Sequence, residues 1–159
     1  MKNWLLVALS LISGMQFVHA APAAGEKTAG AAQVVVLTQT PCQFVESEGG
    51  ADRGYRSGKQ EDCERINAQS GAARANSAKP IELKPGRYVF RVSNKSVPYE
   101  LGFWLRGAGL TGRATLPSVS GGGLTQGVTK DYEIMLKPGE YVYSCPLNTT
   151  PDYRLIVKN

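Results

Sequence analysis

The chain carries one eight-residue pattern twice: Leu83-Lys84-Pro85-Gly86-Arg87-Tyr88-Val89-Phe90 recurs as Leu136-Lys137-Pro138-Gly139-Glu140-Tyr141-Val142-Tyr143, at an offset of 53 residues. In each copy a proline and a glycine follow a Leu-Lys pair, which is typical of a tight turn. The aromatic and β-branched residues that come next indicate an outgoing strand. The pattern therefore predicts two related strand-turn-strand units inside one Greek-key domain.

Short alternating segments continue from Pro80 to the end of the chain. Proline, glycine and asparagine separate them, and such turn signals between short strands indicate an antiparallel sandwich or barrel. We therefore predict an all-β fold, a Greek-key β-sandwich with one short helical insertion. The segments are Arg87–Ser93, Tyr99–Leu105, Tyr132–Leu136, Glu140–Ser144 and Tyr153–Val157.

The first twenty residues have the three zones of a secretory signal peptide. Lys2 precedes an apolar run, Trp4 to Ile12, that is too short to cross a bilayer core of about 30 Å as a helix. We predict cleavage after Ala20, a periplasmic or secreted protein, and no stable membrane span after cleavage; an uncleaved membrane anchor is the alternative. The Ala- and Gly-rich residues 21–32 predict a flexible tether, which leaves 33–159 as the folded domain.

Two elements are predicted at the start of this domain. Gln33–Thr40 is apolar and β-branched and stops at Pro41, which indicates a first strand with both faces covered. Ser57 and Gln60 have the spacing of a capping box, which predicts a helix over about 58–69, ended by Gly71. Its inward stripe would hold Cys63 and Ile66, and Glu61 and Arg65 would pair on the solvent side.

Charge and histidine content exclude several function classes. The net charge of +5 is spread along the chain without a run of five or more like charges, so we expect no nucleic-acid binding. Cleavage after Ala20 removes His19, the only histidine, and with it any Ser-His-Asp or Cys-His mechanism and any metal site built on imidazole. Since no two carboxylates are placed beside a nucleophile, we expect that the protein is not an enzyme.

The second copy of the repeated pattern runs on through Ser144 to Cys145 and Pro146, and in this form it resembles the last strand pair of the cupredoxins. There a Pro/Gly turn leads into an aromatic-rich strand that delivers a cysteine. The first copy resembles the other metal-bearing segment of that family, with Tyr99 near the position of a histidine. The resemblance covers Pro80 to Asn159 and implies a cupredoxin-like β-sandwich.

The resemblance also implies where copper would bind. The family holds type 1 copper with two histidines, one cysteine and a weak axial methionine or substitute. Of these ligands Cys145 is retained, but Tyr99 replaces the first histidine and residues 146–152 contain no second histidine. Met135 lies on the strand before Cys145 and its strand, so it does not match the axial ligand. We therefore expect no blue copper site and no cofactor. The alternative is a copper-handling protein with a non-standard site at Cys145 and Met135.

Three cysteines in an exported chain allow three pairings and leave one thiol. Cys42 and Cys63 are the favoured disulfide because they flank the Gly-rich, charged stretch that most needs fixing. Closing a loop of about 20 residues is worth roughly 3 kcal/mol in the chain-entropy model. Cys145 then remains a single thiol, either buried and inert or available for metal or redox chemistry.

A short segment, Gly102–Gly107, concentrates Phe103 and Trp104 beside Arg106. It reads either as a core strand with one buried face or, if its other face is open, as the aromatic-plus-arginine composition of a binding hot spot. On the second interpretation Phe103, Trp104 and Arg106 contact a partner. The function predicted from sequence is an exported accessory protein that binds a protein partner not identified by the sequence.

Overall fold

The computed structural model describes residues 31–159, and the predicted signal peptide and most of the predicted tether lie outside them. Nine strands form two facing sheets, and two helices lie between strands along the chain. The strands are β1 (Gln33–Thr40), β2 (Gln43–Phe44), β3 (Ile81–Leu83), β4 (Gly86–Asn94), β5 (Leu101–Gly107), β6 (Val119–Leu124), β7 (Thr129–Leu136), β8 (Gly139–Ser144) and β9 (Tyr153–Val157). The helices are α1 (Gln60–Ser77) and α2 (Gly109–Thr115), and a 3-10 turn covers Glu46–Glu48.

The two sheets confirm the β-sandwich. The first has the strand order β2-β1-β4-β7, and the second has the order β3-β9-β8-β5-β6. Both sheets are mixed, which corrects the expectation of a purely antiparallel arrangement: β1 runs parallel to β4, and β3 runs parallel to β9. Parallel neighbours need a long crossover, and the insertion that contains α1 provides one between β1 and β4.

The repeated sequence pattern forms the same local structure twice. Gly86 and Gly139 open β4 and β8 with φ values of 152° and 154°, a region that favours glycine. Tyr88 and Tyr141, two residues further on, are both buried. The Tyr141 hydroxyl donates to the Lys137 carbonyl at 3.0 Å and accepts from the Lys137 N–H at 3.2 Å, which ties the strand back to its own turn.

Aromatic rings fill the space between the sheets. Phe103 of β5 is at the centre, with ring centroids 5.6 Å from Phe90 and 5.1 Å from Tyr132. Phe44 packs edge-on against Phe103 and Tyr143. Because burying an aromatic side chain removes 150–250 Å² from water, at about 25 cal/mol per Å², each buried ring contributes about 4–6 kcal/mol of hydrophobic free energy.

The first strand is present over the predicted residues, but only one of its faces is covered. Leu37 and Gln39 are fully buried, whereas Val34 is 50% exposed and Val36 is 56% exposed. The prediction that both faces are covered was wrong. It treated an uninterrupted apolar run as a strand covered on both faces, whereas β1 belongs to a two-sheet sandwich in which only the face toward the other sheet is buried.

The helix is longer than predicted, because Gly71 lies inside α1 and does not end it. A Cβ atom at Gly71 would stand 3.3 Å from Cβ of Asn67 and 3.5 Å from Cγ of Pro151, so the helix packs directly against the loop before β9 at this position. The helix start also differs from the predicted capping box. Asp62, not Gln60, accepts hydrogen bonds from the N–H groups of Gly58 and Lys59, at 2.9 and 3.2 Å.

Polar contacts, not an apolar stripe, fasten α1 to the sandwich. The residues that face the sandwich are Cys63, Asn67, Gly71 and Arg74, at spacings of four, four and three. Ile66 is only half-buried, and Arg65 pairs with Asp62 at 2.7 Å instead of with the predicted Glu61. Neither α1 nor α2 is long and apolar enough to cross a membrane, within the part of the chain that the structure describes.

Candidate functional site at the Cys145 end of the sandwich

The thiol of Cys145 lies at the end of β8 and is fully buried. Its Sγ accepts the N–H groups of Gly102 and Asn148, each at 3.3 Å. Burial raises the pKa of the thiol, and these N–H groups offset only part of that effect. The sulfur is therefore protonated at neutral pH, and it is a poor nucleophile and a poor metal ligand in this state.

Asn148 connects Cys145 to the first hairpin. The Asn148 side chain is fully buried, and its Oδ1 accepts the Cys42 N–H at 2.8 Å. Its Nδ2 donates to the Thr40 carbonyl at 2.9 Å and to Oε1 of Gln39 at 3.3 Å. Both ends of this amide are thus occupied by β1 and by the turn that follows β1.

Replacing Asn148 with leucine is expected to lower the free energy of unfolding by about 2–3 kcal/mol, because the Cys42 N–H and the Thr40 carbonyl would lose their buried partner. Chemical denaturation measures the loss. Asn76→Leu is the matched control, since Asn76 is exposed on α1. Equal stability of the two variants would contradict the role given to Asn148.

The residues around Cys145 do not fit a type 1 copper site. Tyr99 is half-buried, and its hydroxyl is 2.7 Å from Ser57 Oγ, while Asn148 is committed to the first hairpin. Met135 is 52% exposed on the outer face of the first sheet, so the structure does not bring it to Cys145. Among residues 31–159 no group of three or more His, Cys, Asp or Glu side chains is arranged to hold a metal ion. One buried thiol is the only soft donor left at this position.

A disulfide joins Cys42 to Cys63, which confirms the favoured pairing, and Cys145 is the free cysteine. The disulfide connects α1 to the turn between β1 and β2. It lies directly beside the loop that follows Cys145, since Cys63 Sγ is 3.4 Å from Oδ1 of Asn148. The insertion therefore covers the end of the sandwich where the family resemblance placed copper.

Backbone strain is concentrated at the same place. Cys42 and Thr149 have φ values of 68° and 42°, and they are the two non-glycine residues of 31–159 with positive φ. One side chain holds both: Asn67 Nδ2 donates to the Cys42 carbonyl at 3.3 Å and to the Thr149 carbonyl at 2.6 Å. Strain of this kind persists where surrounding contacts enforce it.

A buried ion pair fixes the other end of α1. Arg74 donates to Oε1 of Glu48 from Nε at 2.9 Å and from Nη2 at 2.6 Å, and both side chains are at least 95% buried. Tyr153 donates to the same oxygen at 2.5 Å, and Arg53 pairs with the second oxygen. Arg74 also donates to the Cys42 carbonyl at 2.9 Å, so the ion pair supports the strained turn.

The Glu48 carboxylate makes stability depend on pH in the acid range. Burial alone would raise the pKa of Glu48, but hydrogen bonds from Arg74, Tyr153 and Arg53 bring it below its usual 4.5. Because the pKa of Glu48 is lower in the folded protein than in the unfolded chain, its carboxylate stabilises the fold at pH values above the unfolded-state pKa. This stabilisation is lost as the pH falls through the folded-state pKa.

We therefore expect the free energy of unfolding to fall more steeply below pH 4.5 in the wild type than in Glu48→Gln, with urea titrations at successive pH values as the measurement. Asp131→Asn is the control: the pKa of Asp131 is also lowered by Arg91, but this pair is exposed and contributes little. Parallel pH profiles for wild type and Glu48→Gln would count against the assignment.

An apolar groove of about 360 Å³ lies beside Cys145 on the second sheet. It is lined by Trp104 and by the two residues after Cys145, Pro146 and the 39% exposed Leu147. Gly102 also lines it, and a Cβ atom there would stand 2.7 Å from the Gly121 carbonyl oxygen. Glycine is thus required for β5 and β6 to approach each other closely at the groove.

Trp104 is held in place by cations. The guanidinium carbon of Arg106 lies 3.9 Å from the centroid of the indole ring, and that of the exposed Arg113 lies 6.0 Å from it. Arg106 is buried, donates to both oxygens of Asp152 at 2.7 and 2.8 Å, and donates to Ser144 Oγ at 3.1 Å. The indole is therefore a rigid wall of the groove.

The three residues singled out for partner binding have different positions. Phe103 is 1% exposed, because adjacent strand residues point to opposite faces and its face is the core. Trp104 is half-buried and lines the groove, and Arg106 lies beneath its ring. Sequence reasoning missed Asn148, Glu48 and Arg74. Most of the partners that bury them lie 26 to 109 positions away, so no local pattern marks these residues.

No protein-family model matches the chain, and comparison with curated proteins finds no significant relative. Solved structures similar to it include auracyanin B, at 12% identity and a TM-score of 0.49, over 85% of this chain and 94% of that one. Lac15 from a marine microbial metagenome is 13% identical, with a TM-score of 0.40, over 93% of this chain and 32% of that one. A multi-copper oxidase from Pediococcus acidilactici is 10% identical, with a TM-score of 0.38, over 87% and 28%.

Proposed function

We propose that the protein is an exported, non-enzymatic cupredoxin-like domain that binds a protein partner in the periplasm or outside the cell, at the groove beside Trp104. The Cys42–Cys63 disulfide and the secretory pattern of residues 1–20 support export. The single observation that carries the binding role is the apolar groove between Trp104 and Leu147.

The groove has the properties of a binding site for a peptide segment. Trp104 offers a large ring that Arg106 already holds, so little conformational entropy is lost when a ligand packs against it. The lining is almost entirely apolar and accepts an aliphatic or aromatic side chain. Arg113, exposed beside the indole, favours an acidic residue next to that side chain.

A peptide library displayed on phage tests this proposal with the mature protein, residues 21–159. We expect enriched peptides to combine an apolar anchor with an acidic neighbour. Binding of a synthetic enriched peptide should quench or shift the fluorescence of Trp104, because the only other tryptophan, Trp4, lies in the predicted signal peptide.

Two variants and one control complete the experiment. Leu147→Ala and Trp104→Ala should each weaken binding of that peptide at least tenfold, measured by calorimetry. Met135→Ala should have no effect, because Met135 is similarly exposed but lies on the other sheet. A library without enriched peptides, or peptides that bind all variants equally, would refute the groove as the binding site.

The alternative function is copper handling at Cys145, supported by the retention of this one soft ligand where the family resemblance places it. It predicts that wild type binds Cu(I) under reducing conditions more tightly than Cys145→Ala does. Titration against a chromophoric Cu(I) chelator decides between the two proposals. Equal affinities would eliminate the copper alternative and leave the groove proposal unaffected.

A further inference from the structure

The free edge of β1 is a surface that none of the roles above uses. Val45 donates to the Thr38 carbonyl at 2.9 Å, and the Thr38 N–H donates to Glu46 at 2.6 Å, so the backbone of Thr38 faces the edge of the sheet. On the opposite side, the Gln39 carbonyl accepts the Lys95 N–H after β4. Backbone groups alternate along a strand, so those of Val34 and Val36 face the same open edge as Thr38.

Within residues 31–159 no strand covers this edge before Thr38. Strand β2 pairs with β1 only at Gln39 and Thr40, and β4 occupies the other side. Val34 and Val36 therefore present two N–H and two C=O groups along the edge, while their side chains are at least half exposed. Both residues combine open hydrogen-bonding groups with high β propensity.

The other edges of the two sheets have protection that β1 lacks. Proteins usually prevent an edge strand from pairing with another chain by placing charged side chains, proline or glycine-containing irregularities on it, or by keeping it short. Strand β3 has three residues, with Pro80 before it and Pro85 after it. Strand β6 contains three consecutive glycines, and β7 carries Lys130, Asp131 and Glu133. Gln33–Thr40 contains no charge, proline or glycine.

We infer that this edge pairs with the same edge of a second copy of the chain. Since β2 closes the edge from Thr38 onward in both copies, the open stretch of each is Gln33–Leu37, centred on Val35. An antiparallel pairing about Val35 places Val34 opposite Val36 of the second copy. The two valines of each copy then exchange four backbone hydrogen bonds across the dyad.

The edge complements itself better than it complements an arbitrary strand. Its donors and acceptors are arranged symmetrically about Val35, and no like charges meet, although the chain as a whole is positively charged. Val34 and Val36 pack side by side on the outer face, a favourable cross-strand pair. The contact is small, so the dimer is weak and reversible. The resulting sheet continues from β7 of one copy to β7 of the other.

Sedimentation equilibrium of the mature protein over a range of concentrations tests the inference. We expect a monomer–dimer equilibrium whose dissociation constant rises at least tenfold in Val36→Pro and in Val36→Lys. Proline is tolerated at a position whose N–H faces the open edge, so Val36→Pro removes the outward donor and leaves the β4 ladder in place. Met135→Lys, on the exposed face of the far edge strand, is the matched control and should dimerise as wild type does.

Amide hydrogen exchange gives a second readout that depends on the register. Exchange at Val34 and Val36 should slow as protein concentration rises, whereas Val35 and Leu37 face β4 and should not respond. A wild type that stays monomeric throughout, or a dimer that Val36→Pro and Val36→Lys leave intact, would overturn the inference. Equal loss of dimer in Met135→Lys would do the same.

Discussion

Replacing Arg74 with alanine is expected to lower the free energy of unfolding by about 3 kcal/mol, the lower end of the usual cost of removing one partner of a buried ion pair, because Arg53 and Tyr153 still contact Glu48. Glu48 would keep its charge in a site where its side chain is 1% exposed. The Cys42 carbonyl would also lose its Arg74 donor at 2.9 Å, which removes one support of the strained turn. Chemical denaturation followed by circular dichroism measures the loss.

A second arginine on the same helix is the matched control. Arg65 pairs with Asp62 at 2.7 Å, but its side chain is 69% exposed, so Arg65→Ala should cost less than about 1 kcal/mol. The double variant Arg74→Met/Glu48→Gln should be more stable than the sum of its single variants predicts, because it leaves no unpaired buried charge. Similar losses in Arg74→Ala and Arg65→Ala would show that the buried pair is not what holds α1.

The sandwich could be predicted from sequence because its signals are local. Alternation from Arg87 onward places Tyr88 and Phe90 on one face of a strand, and the Pro-Gly pairs mark the turns before β4 and β8. The disulfide could also be predicted, since the spacing of Cys42 and Cys63 in an otherwise polar insertion favours that pair. Each of these inferences needs only neighbouring residues or the cysteine count.

The attachment of α1 could not be predicted from such signals. Sequence reasoning looks for an apolar stripe, but the helix contacts the sandwich through Cys63, Asn67, Gly71 and Arg74. Gly71 looks like a helix terminator unless the neighbouring Pro151 is known. The open edge of β1 was missed for a related reason: nothing within Val34–Leu37 shows that β2 is too short to pair with it.

The candidate site could be predicted from the sequence only in part. The resemblance led to Cys145, and composition led to Trp104, but the groove between them depends on Gly102 and Leu147, which no motif marks. Nothing local marks Asn148 as a buried contact, because an asparagine is ordinary in a loop that also contains proline and threonine. Its burial follows from contacts with Thr40 and Cys42, more than a hundred positions earlier.

Removing the disulfide is the second change with a large expected effect. Cys42→Ser should lower the free energy of unfolding by about 2–4 kcal/mol, because the 21-residue separation between the two cysteines would no longer be closed in the unfolded chain. Cys63→Ser should cause a similar loss, and the double variant should add little to either, since all three lack the same bond. Urea denaturation of the four proteins measures these differences.

The strands from Arg87 onward should stay folded in these variants. Of the residues between Cys42 and Cys63, the hydrophobic core includes only Phe44, and α1 remains attached through Arg74 and Asn67. Near-ultraviolet circular dichroism, which reports the packing of the core rings, should therefore keep its wild-type form in the absence of urea. Loss of that signal in Cys42→Ser would mean that the disulfide supports the whole domain and not only the insertion.

Thiol counting on the oxidised wild type tests both the Cys42–Cys63 disulfide and the free thiol of Cys145. One thiol should react after denaturation and map to Cys145, and none should react quickly in the native protein, because the sulfur is fully buried and burial raises its pKa. In Cys42→Ser a second reactive thiol, Cys63, should appear. Peptide mapping that found Cys145 bridged to Cys42 or Cys63 would contradict the assignment, and it would also remove the thiol on which the copper alternative depends.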